Sequence, residues 1–396
     1  MRRPLLVPLL VSFLERSMSP SLLGLLAIGV LSLAAVTGCG SGRTTPGGTA
    51  TGGAGVGGVG GGGAGTTGGA GTVTAGAGGE MVDSGPDVGA AGAGVSDASD
   101  SMPVTGDGGG FTDPGVEGDG TFPISSPFMT APEMTDHAGI AKGQIIQFTM
   151  ASNTTFNDGG RKVAVYIPAS YVSGTEVPFM VAQDGVNPQN GGSFGLDDLR
   201  PLMDNMIAAG TIPAMAGIFV DPGNQRGVEY DTASDKYYQF VETELLPLVL
   251  TQVQMKNITL NLTKDPQGRG AFGGSSGGAA AFTMGWFHPE SYTRILTISG
   301  SFVNLQTPGA GAYPKTLIPS SPVKPLRVFL AAGSNDLGGG QWRTANDATA
   351  MALMAKGYHY RYVTAAGAGH EDDGARRQYL PAAMEWLWRG YPIVKK

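Results

Sequence analysis

Four residues in the second half of this chain have the types and the order that acyl chemistry needs: Ser275, Ser276, Asp336 and His370. The two serines sit in a run of tiny residues between Arg269 and Trp286, Gly273-Gly274-Ser275-Ser276-Gly277-Gly278. Asp336 closes Gly333-Ser334-Asn335-Asp336, and His370 closes Ala365-Ala366-Gly367-Ala368-Gly369-His370. A serine hydroxyl is a weak nucleophile at neutral pH. A histidine that takes its proton during attack, and returns it to the leaving alcohol, makes it a competent one. A carboxylate beyond the histidine fixes the imidazole tautomer and stabilises the imidazolium.

Such side chains must be delivered by elements that end at a common place. The stretch from Arg269 to Trp286 reads as a short strand, a turn and a helix of small apolar residues, which is the G-x-S-x-G elbow of an α/β-hydrolase. The residues two before and two after the serine nearly touch in that turn, so glycine fits and a side chain does not. Two registers satisfy the pattern. One places Ser275 at the tip between Gly273 and Gly277, the other places Ser276 there between Gly274 and Gly278, and the pattern alone does not choose.

Strands are expected at residues 144–150, 161–167, 178–183, 215–220, 270–272, 294–299, 327–331 and 360–364. Helical patterns fall at 196–209, 234–251, 276–287, 342–355 and 376–389. Several strands are nearly continuous apolar runs, as when helices cover both faces. The fold class that follows is α/β: an α/β-hydrolase fold, a doubly wound, mostly parallel sheet with helices on both faces and an antiparallel start. Asp336 and His370 then lie on loops at the carboxyl ends of neighbouring strands, at the edge where the elbow opens, in the hydrolase order of serine, acid, histidine. Glu371, Asp372 and Asp373 are rival acids, expected to face solvent. His137 lies before the sheet, His288 precedes Pro289 at a helix end and His359 sits just before a strand with no glycine-rich loop around it, so all three are weaker candidates for the base. The oxyanion would take the amide of Ser276 at the helix N-terminus, and a second amide after the strand 178–183, Gly185 first and Val186 next.

The chain resembles a family of esterases that includes ferric-enterobactin esterases, esterase D and feruloyl esterases. The resemblance covers most of residues 132–392. It rests on the elbow G-x-S-x-G-G, on Lys162 to Pro168, Gln183-Asp184-Gly185, Glu229-Tyr230-Asp231-Thr232, Glu244-Leu245-Leu246-Pro247, Phe287-His288-Pro289-Glu290, Gly333 to Asp336 and the closing Trp386-Leu387-Trp388-Arg389. It implies Ser275 as the nucleophile and no cofactor. Related sequences follow Gln-Asp-Gly with more glycine, whereas this one continues Val186-Asn187-Pro188, which leaves the second oxyanion donor open. Asp184, Arg226, Glu229 and Tyr230 are candidates for the wall of the cleft, although for Tyr230 an ordinary half-buried packed aromatic is the slightly better reading.

The rest of the chain bears on location. The 396 residues carry a formal net charge of -7, which disfavours nucleic acid as a partner, and the count of only four histidines disfavours a multi-histidine metal site. Residues 1–38 read as an export signal, with Arg2, Arg3 and Arg16 before an apolar core at 22–35. Val36-Thr37-Gly38-Cys39 resembles the lipobox of bacterial lipoproteins, in which the cysteine is diacylated. Cys39 is the single cysteine, so no intrachain disulfide is possible. Met18 is a second possible start. Residues 39–120 read as a tether, roughly half glycine through Gly79 and then acidic. Residues 121–396 have the size of one α/β-hydrolase domain.

Three functions fit: a lipid-anchored serine carboxylic-ester hydrolase acting on small-molecule or polysaccharide-linked esters, an acyltransferase using the same residues, and a non-catalytic binding module on a hydrolase fold. The ester itself is not legible.

Overall fold

The computed structural model describes residues 112–186 and 195–394. The export signal, Cys39 and the glycine-rich run that follows it lie outside the described residues.

Alternate residues of the central strands feed two separate cores. In β5 (Phe179–Gln183), Phe179 and Val181 join one and Met180 and Ala182 the other; in β10 (Arg327–Gly333), Val328 and Leu330 face away from Phe329 and Ala331. This is the two-residue period of a pleated strand with both faces covered, and it explains the unbroken apolar runs. The remaining strands are β1 (Gly120–Ser125), β2 (Gln144–Met150), β3 (Arg161–Ile167), β4 (Glu176–Val177), β6 (Ala216–Val220), β7 (Asn261–Leu262), β8 (Arg269–Gly274), β9 (Arg294–Ile298) and β11 (His359–Ala366).

Nine of them form one sheet in the order β1-β11-β10-β9-β8-β5-β6-β3-β2, and β4 pairs with β7 separately. Every neighbour from β1 to β6 is parallel, and β3 and β2 close the sheet antiparallel, so the mixed start expected from the sequence is observed. The helices are α1 (Leu196–Ala209), α2 (Arg226–Asp231), α3 (Lys236–Phe240), α4 (Leu246–Gln254), α5 (Ser275–Phe287), α6 (Leu337–Lys356) and α7 (Asp373–Trp388). α1 and α7 cover one face, and α3, α4, α5 and α6 cover the other. This is the α/β-hydrolase fold.

Four differences from the sequence reading have physical causes. The body begins before residue 121: Thr112 donates to the Gly390 carbonyl, and β1 pairs along the edge of β11. The single helix expected over 234–251 is broken by a π-helical turn at Val241–Leu245, immediately before Pro247, which has no amide to donate back along the helix. α6 opens with three left-handed glycines, Gly338, Gly339 and Gly340, before its regular part. Arg226 to Asp231, read as loop, is a short helix. At the sheet edge far from the elbow, Arg294 and Arg327 donate to the carbonyls of Leu387 and Trp386, meeting the unpaired last turn of α7.

Candidate active site

β8 runs into α5 through a turn that only glycine permits. A Cβ on Gly273 would lie 2.3 Å from the carbonyl carbon and oxygen of Gly277, and one on Gly274 would lie 2.0 Å from Glu371 Oε1. Ser275, at the tip, has φ of 53°, the left-handed region that L-residues avoid. Of the two serines, Ser275 is the one with a positive φ. Ser275 occupies the bend, partly exposed, whereas Ser276 is buried and its hydroxyl favours the ionised form of the Asp231 carboxyl. The Ser276 amide stands in the first turn of α5, where backbone donors have no acceptor within the helix.

Asp336 and His370 are brought together as their positions on neighbouring strands imply. His370 Nδ1 lies 2.5 Å from Asp336 Oδ1. Asp336 is buried, and the same oxygen accepts the Leu337 amide at 2.7 Å, capping α6. The two loops hold each other through backbone bonds: the Asn335 amide donates to the Ala368 carbonyl, and the Gly367 amide donates to Ser334 Oγ. A Cβ on Gly333 would meet the Ala368 and Gly369 carbonyl oxygens at 2.4 Å, so that crossing also requires glycine.

Glu371 corrects the expectation that the acids after His370 face solvent. It is buried, has φ of 49°, and its amide donates to Ser299 Oγ at 3.1 Å. Its carboxylate lies against Gly274, directly beneath the elbow, so the residue after the histidine touches the residue before the serine. Asp373 is exposed as expected, and Asp372 caps α7.

Of the cleft candidates, Asp184 and Arg226 pair. Arg226 Nε and Nη2 meet the two carboxylate oxygens of Asp184 at 2.9 and 2.7 Å, and Asp184 Oδ2 lies 3.0 Å from where a Gly277 Cβ would stand. Burial pushes the Asp184 carboxyl above the usual range, against the pull of Arg226. Glu229 and Tyr230 are not on the cleft wall. α2 turns both inward: Glu229 meets Arg161 Nη1 at 2.5 Å, and the Tyr230 ring packs edge-on against Tyr237 at 5.1 Å in the fully buried core.

The second oxyanion donor also differs from expectation. The Gly185 amide is directed at the Val220 carbonyl at 3.4 Å, and the Val186 amide at Asp221 Oδ1 at 3.0 Å. Both therefore tie β5 to β6 instead of facing the elbow. A Cβ at Gly185 would crowd the Ala182 carbonyl and Phe219, each at 2.9 Å, which is reason enough for glycine there. Residues 187–194 lie outside the described residues.

The other histidines have unrelated partners. His137 bonds the Pro132 carbonyl, His288 stacks on Tyr238, and His359 meets Asp119. Two residues that sequence reasoning passed over adjoin the elbow. Ser301 Oγ lies 3.5 Å from Ser275 Oγ and accepts from Trp342 Nε1 at 3.0 Å. The Trp342 ring stands edge-on to His370, with centroids 6.2 Å apart.

The sequence model of the Putative esterase family matches residues 153–386. YbbA of Bacillus subtilis, an uncharacterised protein, is 24% identical over 194 residues, covering 45% of this chain and 70% of its own. Among solved structures, a ferulic acid esterase matches with a TM-score of 0.50 at 18% identity, over 63% of this chain and 100% of that one. A ferulic acid esterase of Anaeromyces mucronatus, solved without substrate, matches with a TM-score of 0.51 at 13% identity, over 66% and 98% of the two chains.

Proposed function

This chain belongs to the Putative esterase family, and from that premise we propose that it is a serine carboxylic-ester hydrolase in which Ser275 is the nucleophile, His370 the general base and Asp336 the residue that orients it. The observation that carries this reading is the 2.5 Å contact between His370 Nδ1 and Asp336 Oδ1 beside a serine held at φ of 53°. With Nδ1 committed to the carboxylate, Nε2 is the nitrogen left to take the Ser275 proton. Ser275 Oγ attacks the ester carbonyl carbon, and the tetrahedral oxyanion is received by the Ser276 amide at the start of α5. Collapse releases the alcohol, protonated by the imidazolium, and leaves an acyl-serine. Water, deprotonated by His370, attacks the acyl carbon; the C–Oγ bond breaks and Oγ recovers its proton.

Substrates on this reading are small-molecule or polysaccharide-linked esters. The lone cysteine in its lipobox-like setting supports a further element: Cys39 is diacylated, and the glycine-rich run tethers the hydrolase to a bacterial envelope membrane, where several acyl chains hold far more firmly than one.

The test is a fluorophosphonate probe with peptide mapping, alongside turnover of a short p-nitrophenyl ester. The label is expected on Ser275, with turnover abolished in Ser275→Ala. Label on Ser276, or full turnover in Ser275→Ala, overturns the assignment.

A further inference from the structure

We propose that Ser301 is a second catalytic hydroxyl, one that hydrogen-bonds the nucleophile's own oxygen and is aimed by Trp342. The proposal rests on the hydrolase reading above. Ser301 is fully buried at the end of β9, and its amide donates to the Ser275 carbonyl at 2.9 Å, so its position relative to the elbow is fixed by backbone as well as side chain. Its Oγ lies 3.5 Å from Ser275 Oγ and receives the indole N–H of Trp342 at 3.0 Å.

Direction follows from the donor inventory. An indole nitrogen only donates, so Ser301 must accept from it, and the single Ser301 proton remains for another acceptor. The acceptor in reach is Ser275 Oγ. Trp342 is fixed in turn. Asn346, fully buried on α6, donates from Nδ2 to the carbonyls of Gly300 and Trp342, both at 2.9 Å, clamping the helix to the turn that carries Ser301.

The chemical value lies in charge on Oγ. Negative charge develops there as His370 removes the proton during acylation, and again when the C–Oγ bond breaks during deacylation. A hydrogen bond from Ser301 stabilises the oxygen at both points without transferring its proton. In the resting form the contact is long, and catalytic hydrogen bonds of this kind tighten when substrate binds. Trp342 is a positioning residue: its indole holds the Ser301 rotor, and its ring flanks His370.

The experiment compares Ser301→Ala, Trp342→Phe and the double variant in the full chain, with burst kinetics on a p-nitrophenyl ester to separate acylation from deacylation. Loss of one oxyanion donor costs ~10²–10³ in rate; for a contact this long, a fall of about tenfold in both rate constants is expected, with KM and melting temperature nearly unchanged. Trp342→Phe keeps an aromatic ring, though a smaller one, and loses the N–H, so it should reproduce part of the fall. The double variant should be no slower than Ser301→Ala alone. Turnover within twofold of wild type in Ser301→Ala, or losses that multiply in the double variant, overturns the proposal. Should Ser301→Ala fail to fold, the proposal stands or falls on Trp342→Phe: an unchanged kcat overturns it. Fluorophosphonate labelling of Ser275 in the wild type keeps the two readings apart. Its failure sinks the hydrolase assignment, whereas labelling with an unaffected Ser301→Ala sinks only this inference.

Discussion

Asp336 meets His370 through the same carboxylate oxygen that caps its own helix. Oδ1 accepts from the Leu337 amide and contacts His370 Nδ1, while Oδ2 is buried with no hydrogen-bond partner among the described residues. One side chain thus anchors α6 and holds His370 Nδ1, which on the proposed reading orients the base. Asparagine is as good an N-cap as aspartate but cannot stabilise an imidazolium. Asp336→Asn should therefore melt within a few degrees of wild type and lose about 10³–10⁴ in kcat. Circular dichroism melting and ester turnover on the same preparation check both halves.

The Ser276 hydroxyl acts on the Asp231 carboxyl. Burial pushes this carboxyl up to about 6 from 3.8, with the Ser276 hydrogen bond and Arg226 pulling it down. The protonated form is thus favoured by folding. Stability from this group is fully present below about pH 4 and is lost as pH rises through about 6. Asp231→Asn should escape that loss, gaining on the order of 2–3 kcal/mol relative to wild type between pH 4 and pH 8. Ser276→Ala, by contrast, removes a donor from a buried carboxyl and should cost about 1–3 kcal/mol at pH 7.5. Urea unfolding at both pH values decides; a pH-independent difference between Asp231→Asn and wild type contradicts the account.

The glycines of the elbow and those opening α6 should respond differently to alanine. At Gly273 the new methyl meets Gly277 backbone at 2.3 Å, so Gly273→Ala should lose about 3 kcal/mol or more together with activity. At Gly339, φ is 63° and nothing lies within 4 Å of the new methyl, so only backbone strain remains. Gly339→Ala should cost about 1–2 kcal/mol and keep most turnover. Chemical denaturation with a parallel assay measures the contrast.

Arg226 holds a buried carboxylate beside α5. Arg226→Ala leaves Asp184 unpaired and should destabilise by about 3–5 kcal/mol at pH 8. Burial already raises the Asp184 pKa, and loss of the guanidinium raises it further, so protonation relieves the penalty and the deficit should shrink at pH 5. Arg226→Lys retains charge without the bidentate geometry and should fall between.

The strands that bury both faces were legible because their apolar runs are continuous, and the order of Ser275, Asp336 and His370 placed them on one sheet edge before any coordinates. β1 was not legible. Its sequence Gly-Thr-Phe-Pro-Ile-Ser is half-buried on one side and exposed on the other, and it contains Pro123, which reads against a strand but is tolerated at an edge. Arg226 to Asp231 is too short a helix for periodicity to register, so Glu229 reads as a cleft candidate although the helix turns it inward, whereas Tyr230 packs as the buried aromatic that its sequence setting slightly favours. Ser301 and Trp342 approach each other across 41 positions, and Ser301 approaches Ser275 across 26; no local pattern marks such encounters. Glu371 adjoins His370 in a loop and so reads as facing solvent, whereas the space left by a missing side chain at Gly274 admits it.

β1 has a protective consequence. It shields the open flank of β11, the strand from which the His370 loop hangs. A shortened chain beginning at the first strand legible in the sequence, Gln144, would bare the backbone donors and acceptors of β11, and a naked parallel edge of that kind recruits strands from neighbouring molecules. Self-association would then begin at the flank that supports the imidazole, and clumping and loss of turnover would arrive together.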